Sequence, residues 1–173
     1  MQLKNVISRL FLKKNNPLSV PLYCFDLICS MPIKMIDHGS HDYQKMVDLR
    51  MEILRRPLGL TFSKEDLEKE KHDILIGAFE EDELMACCIL TKAAQDTCKL
   101  RQMAVHPRFQ RNGLGAAMMN YAEQLAKDAG YAKMVMNARK TAKGFYEKLG
   151  YEIKGDEFVE VTLPHFFMEK NII

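Results

Sequence analysis

Met103-Ala104-Val105-His106-Pro107-Arg108-Phe109-Gln110-Arg111-Asn112-Gly113-Leu114-Gly115-Ala116 is the stretch on which the reading of this chain turns. An apolar run stops at His106-Pro107, two glycines follow, and helical spacing begins at Gly113, so the stretch reads as strand, loop and helix start. Helix N-termini present unpaired amides and a partial positive charge, and glycine lets the backbone approach a phosphate with no side chain between them. Such a turn suits a diphosphate. A P-loop would need Gly-Lys-Ser/Thr at the helix start, where Gly115 is followed by Ala116-Ala117. A dinucleotide fingerprint would need a glycine at the position of Met118. Nucleotide hydrolysis and NAD binding are disfavoured on those grounds, whereas a glycine-rich turn that holds no ligand stays open on spacing alone.

Outward from this loop, Leu114, Ala117, Met118, Tyr121, Ala122, Leu125 and Ala129 share one helix face, and Gly130 stops the run. Residues 131–136 then read as a strand, 142–149 as a helix closed by Gly150, and strands are expected near 151–153 and 165–170. Towards the N-terminus, residues 98–105 alternate Leu100, Gln102 and Ala104 with Arg101, Met103 and Val105, the period of a strand. Apolar runs at 74–79 and 84–90 flank Glu80-Glu81-Asp82-Glu83 and predict a hairpin. Ile33, Met35 and Ile36 suggest an opening strand. Tyr43, Met46, Val47, Arg50, Met51 and Leu54 fall on one helix face that ends at Pro57 and Gly59. Ser63-Lys64-Glu65-Asp66 has the form of a capping box and starts a second short helix. The order β-α-α-β-β-β-α-β-α-β-β is that of an α/β fold of mixed layers, with helices on both faces of the sheet.

At 173 residues the chain has room for one domain. Its 47% apolar and 28% charged content is that of a packed globular protein. The net charge of +2 is spread without a block of like sign, which argues against nucleic acid or an anionic membrane as partner. Cys24, Cys29, Cys87, Cys88 and Cys98 are an odd set without Cys-x-x-Cys spacing, and read as free thiols in a reducing cytoplasm. His38, His41, His72, His106 and His165 are scattered without ligand spacing, so no metal site is expected.

Residues 1–30 read as an N-terminal extension to a domain spanning 31–173. Lys4, Arg9, Lys13 and Lys14 precede an apolar stretch as in a signal peptide, but Pro17, Pro21 and Asp26 interrupt it and no small-residue cleavage site follows. The stretch is too broken for a membrane span of about 20 residues. The expectation is an atypical extension, or an upstream start with Met31 or Met35 as the natural one.

Two motifs together resemble the GNAT acetyltransferases. Gln110-Arg111-Asn112-Gly113-Leu114-Gly115 is similar to the family's Gln/Arg-x-x-Gly-x-Gly/Ala, and Leu100 to Pro107 resembles its central strand. Asn137-Ala138-Arg139-Lys140-Thr141-Ala142-Lys143-Gly144-Phe145-Tyr146-Glu147-Lys148-Leu149-Gly150-Tyr151 resembles its Asn, Ala, Phe-Tyr-Glu-x-Leu-Gly-Phe/Tyr segment. The two occur in the family's order and in the expected strand and helix contexts.

The resemblance implies a GNAT-like acyl-CoA N-acyltransferase fold: a mixed, mostly antiparallel sheet whose central strands splay beside a bulge. It implies acetyl-CoA as coenzyme, with the backbone of Met103, Ala104 and Val105 along the pantetheine. Gln110, Arg111, Asn112, Gly113, Leu114, Gly115 and Ala116 would surround the pyrophosphate, and Asn137 would hold the coenzyme from the next strand. The acetyl group would pass to a primary amine on a small molecule or peptide, with Tyr146 protonating the departing thiolate. Glu160 and His165 are candidate bases, because Phe158-Val159-Glu160-Val161-Thr162-Leu163-Pro164-His165 resembles the tail bordering the acceptor site in small bacterial relatives. Those relatives commonly have glycine just before Pro-His, where this chain has Val161-Thr162-Leu163. Asp66, Glu70 and Asp73 are further acidic candidates for binding a cationic acceptor, but in a charge-rich segment they read chiefly as a solvated helix face; Arg55-Arg56-Pro57 could contact an anionic acceptor, and that role is not assigned to it. Relatives often pair through sheet edges, so a homodimer is one arrangement in view. The alternative function is a CoA-binding module without catalysis.

Overall fold

The computed structural model describes residues 31–173, so the reading of residues 1–30 lies outside the described residues. β1 (Ile33–Ile36) is followed by α1 (His41–Arg50), which widens into a π turn (Met51–Arg55), and by the short α2 (Lys64–Glu68). Next come β2 (Ile74–Glu80), β3 (Glu83–Lys92), β4 (Thr97–Val105), α3 (Leu114–Asp128), β5 (Lys133–Arg139) and α4 (Lys143–Lys148). The chain closes with β6 (Glu152–Ile153), β7 (Phe158–Glu160) and β8 (Leu163–Asn171). The sheet order is β1-β2-β3-β4-β5-β8-β6, with β7 also paired to β8. Among the described strands only β4 and β5 run parallel; the other pairs are antiparallel.

Local chemistry sets the element ends. Ser40 and Ser63 accept from the amides of Tyr43 and Asp66 and cap α1 and α2. Gly130, at φ 86°, closes α3 in a conformation that costs glycine little. The 131–136 strand expected from sequence lies later, at Lys133–Arg139, because Tyr131 and Ala132 are spent in the turn, their amides bonded to Ala126 and Asp96. That shift places Asn137 and Arg139 on the strand itself.

Two further differences bear on the site. The expected order lacked β7, which forms a hairpin with β8 through Val161 (φ 49°) and Thr162 (φ 65°). Turns of that hand are normally signalled by Asn-Gly, and β-branched residues there carry strain. The regular alternation expected along β4 is also broken. Cys87 pairs with Ala104 but Ile89 with Arg101, so one extra residue sits on β4 opposite Cys88. Gln102, at φ 50°, occupies that bulge. Leu100 and Ala104, of equal parity, therefore pack on opposite faces of the sheet.

Each face has its own core. α3 and α4 cover one in which Met118, Met119, Met134 and Met168 are fully buried. α1 covers the other with Tyr43, Met46, Val47 and Leu49. Among the described residues no helix is long and apolar enough to cross a membrane.

Candidate active site

β4 and β5 are paired only from Thr97 with Lys133 to Leu100 with Met136. Beyond that the strands part, and the gap opens beside the bulge. Backbone polar groups alternate between the two edges of a strand. The His106 amide donates to Met85 beside β3 at 2.8 Å, so the polar groups of Met103 and Val105 face the gap. Those of Ala104 turn to β3, against Cys87. Gln110 Nε2 donates to the Val105 carbonyl at 2.9 Å, which leaves the Val105 amide and both Met103 groups along the open edge.

The loop that follows is anchored at both ends by side chains buried in the core, Phe109 and Leu114. From Arg111 to Ala116 no backbone amide finds a backbone acceptor among the described residues, and the next, Ala117, donates to Gly113 at 3.0 Å. Arg111 (φ 65°) and Gly113 (φ 94°) turn the chain so that these amides gather at the start of α3. A Cβ on Gly115 would meet the Phe145 ring at 3.3 Å, so the glycine is also where α3 closes on α4. Unpartnered donors, a helix N-terminus and an open strand edge in sequence are what a diphosphate with an amide-bearing arm requires, and the residues present fit that group.

Tyr146 projects from α4 and is 7% exposed. Its ring packs against Phe145 at 4.9 Å and Tyr151 at 6.0 Å. Burial, with Cys88 nearby, raises its pKa well above the ordinary value. The phenol therefore keeps its proton at neutral pH, as an acid must. Asn137 and Glu160 are brought together, Nδ2 lying 3.2 and 3.1 Å from the two carboxylate oxygens. His165 is 6% exposed, with Nδ1 2.8 Å from the Leu163 carbonyl and its ring stacked on Phe158. The structure thus brings Glu160 onto Asn137 and buries the His165 ring against Phe158.

Sequence reasoning missed the groups that hold the bulge. Glu70 is 1% exposed and Arg50 fully buried, and they form a bidentate pair at 2.7 and 2.9 Å. The Tyr43 hydroxyl donates to Glu70 at 2.7 Å, and Gln102 Nε2 reaches it at 3.3 Å. The solvated-face reading holds for Asp66, paired with Lys69 on the surface, and fails for Glu70. Asp73 is also largely buried, 3.6 Å from Arg101, and burial raises its pKa. The sequence signal available was the Arg50 position on the inner face of α1, where an unpaired guanidinium would be costly.

The family model for the acetyltransferase (GNAT) domain matches residues 60–172. Among curated relatives, the uncharacterized protein YyaT of Bacillus subtilis is 34% identical over 76 residues, 44% of this chain and 51% of that protein. The chain spans about half the length of the curated relatives it matches first. Among solved structures, aminoglycoside 6'-N-acetyltransferase complexed with coenzyme A superposes with TM-score 0.72 at 20% identity, covering 83% of this chain and 98% of that one. The PaiA N-acetyltransferase of Thermoplasma acidophilum in complex with coenzyme A gives 0.63 at 19%, covering 82% and 99%. These likenesses show the fold, including its mixed sheet and flanking helices. The chain belongs to the GNAT acetyltransferase family.

Proposed function

We propose that the protein transfers the acetyl group of acetyl-CoA to a primary amine of a small molecule or peptide, by direct attack in a ternary complex. The observation that carries this is the free amides from Arg111 to Ala116 beside the unpaired edge of β4. Coenzyme-bound relatives of the same fold support it.

Those amides and the α3 N-terminus hold the pyrophosphate. The Met103 and Val105 backbone aligns the pantetheine, and an amide on that edge stabilises the developing oxyanion. An alkyl amine of pKa about 10.4 arrives charged and must lose a proton. Glu160, held by Asn137, is placed to take it directly or through water. As the C–N bond forms and the C–S bond breaks, Tyr146 gives its proton to the departing thiolate, and the second proton shed by the nitrogen restores the phenol through water. The acceptor reaches the gap from the α1 side.

The buried free thiols Cys87, Cys88 and Cys98 support a reducing, cytoplasmic setting. Calorimetric titration with acetyl-CoA, followed by thiol release on a panel of amines, tests the activity. Saturable binding with amine-dependent thiol is expected. Binding without amine-dependent thiol would mark a non-catalytic module, and no binding would end the proposal.

A further inference from the structure

Arg55 and Arg139 converge over the splayed end of the sheet from two distant segments. Arg55 ends the π turn after α1, and Arg139 ends β5. Arg139 Nη2 donates to the Leu54 carbonyl at 3.3 Å, which fixes its guanidinium one residue from Arg55. The Phe62 ring supports the Arg55 guanidinium at 4.7 Å and that of Arg50 at 5.1 Å. Of these three cations Arg50 alone is neutralised, by Glu70.

Among the described residues no carboxylate lies within ion-pair distance of Arg55 or Arg139. Arg55 Nε is buried and has no hydrogen-bond partner among the described residues. Burial, and then the charge of Arg55, lowers the pKa of Arg139. Two partly buried guanidiniums held together without an anion cost free energy, since each has lost water and each repels the other. Their forked donors match a carboxylate or phosphate.

The position relative to the chemistry gives the pair its meaning. Asn137 stands two residues before Arg139 on the same face of β5, about 6.6 Å back along the strand, and Glu160 is hydrogen-bonded to it. One side of β5 thus offers a carboxylate at the amine end and a dication further out.

We propose that Arg55 and Arg139 form an oxyanion subsite in the acceptor cleft, so that the acceptor is a primary amine that also carries a carboxylate or a phosphate. This rests on the amine-acetylating reading above. Glu160 meets the ammonium, the guanidiniums take the anionic end, and the span between them selects chain length.

The test compares three amines on the same two-carbon chain, ethanolamine, β-alanine and O-phosphoethanolamine, at saturating acetyl-CoA. The wild-type protein should prefer β-alanine or O-phosphoethanolamine to ethanolamine in kcat/KM, and the better of the two names the anion. Arg139→Gln, which keeps a donor for Leu54, and Arg55→Gln should each cut that preference roughly 10- to 100-fold, the worth of a charge-assisted hydrogen bond, mainly through KM. Equal use of all three amines by wild type, or a preference retained in both variants, would overturn the subsite. Where none of the three turns over, titration of the CoA-loaded protein with β-alanine and O-phosphoethanolamine decides. Saturable binding lost in the variants upholds the subsite, and no binding overturns it. A wild-type protein that fails to bind acetyl-CoA sinks the functional reading instead, and the acceptor role of the arginines with it.

Discussion

The two faces of the sheet are built on opposite principles. On the α3 side the loop before the helix presents free backbone amides, and the core around Tyr146 is apolar and rich in methionine. On the α1 side the bulge is held by buried charge, with Arg50, Glu70, Tyr43 and Gln102 in one network. Backbone recognition asks little of side chains beyond glycine where the chain turns. Side-chain recognition needs groups from distant segments in register, so on the proposed function that face is where acceptor specificity would vary while the coenzyme side stayed the same.

The largest effect that would sharpen the contrast is expected at Glu70. Glu70→Ala leaves Arg50 buried and unpaired, which should destabilise the protein by about 3–5 kcal/mol. Met134→Leu on the opposite face should cost less than about 1.5 kcal/mol. Urea denaturation of both variants checks the pair, and equal losses would erase the distinction. Next in size, Tyr146→Phe should lower kcat on the order of 100-fold while acetyl-CoA still binds, as removal of a general acid does. An unchanged kcat would make Tyr146 a packing residue only.

Gly113→Ala tests how far the loop depends on backbone alone. At φ 94° a Cβ is strained, although nothing lies within 4 Å to clash with it. A cost of about 1–2 kcal/mol should appear as roughly 10-fold weaker coenzyme binding, read by calorimetry.

The smallest effect appears only in alkali. Burial pushes the Cys98 thiol, on the α3 side, up to about 11 from 9.0. The folded state therefore holds that proton where the unfolded chain has lost it, so this contribution is complete below pH 9.0 and disappears as pH climbs through about 11. The stability gap between wild type and Cys98→Ala should narrow over that window. A constant gap would show that the thiol does not titrate with unfolding.

What could be read from the sequence follows the same division. Gln110, Gly113 and Gly115 lie within one short loop, and Asn137 and Tyr146 within one strand-helix unit, so their spacing was visible along the chain. Strand, helix and hairpin order followed from periodicity except at β7, whose turn is made by Val161 and Thr162 without the usual turn residues. Arg50 and Glu70 are 20 positions apart, and Arg139 meets Leu54 across 85. No local pattern announces pairs of that kind. Glu70 looked like one more acid in a charged helix until the bend after α1 folded it inward.

The short parallel join of β4 to β5 has a consequence for folding itself. Among the described residues its four register pairs are the only strand ladder between the meander β1–β4 and the strands β5–β8, and past Leu100 the cloth is left open. Whatever lies in that opening and bonds both margins completes the stitching. Occupancy and foldedness are then one linked equilibrium: coenzyme at about a hundred times its dissociation constant would add about 2.7 kcal/mol to the folded state. On the proposed function, the gap left open for the reaction is also where the protein leaves part of its own stability to the molecule it binds.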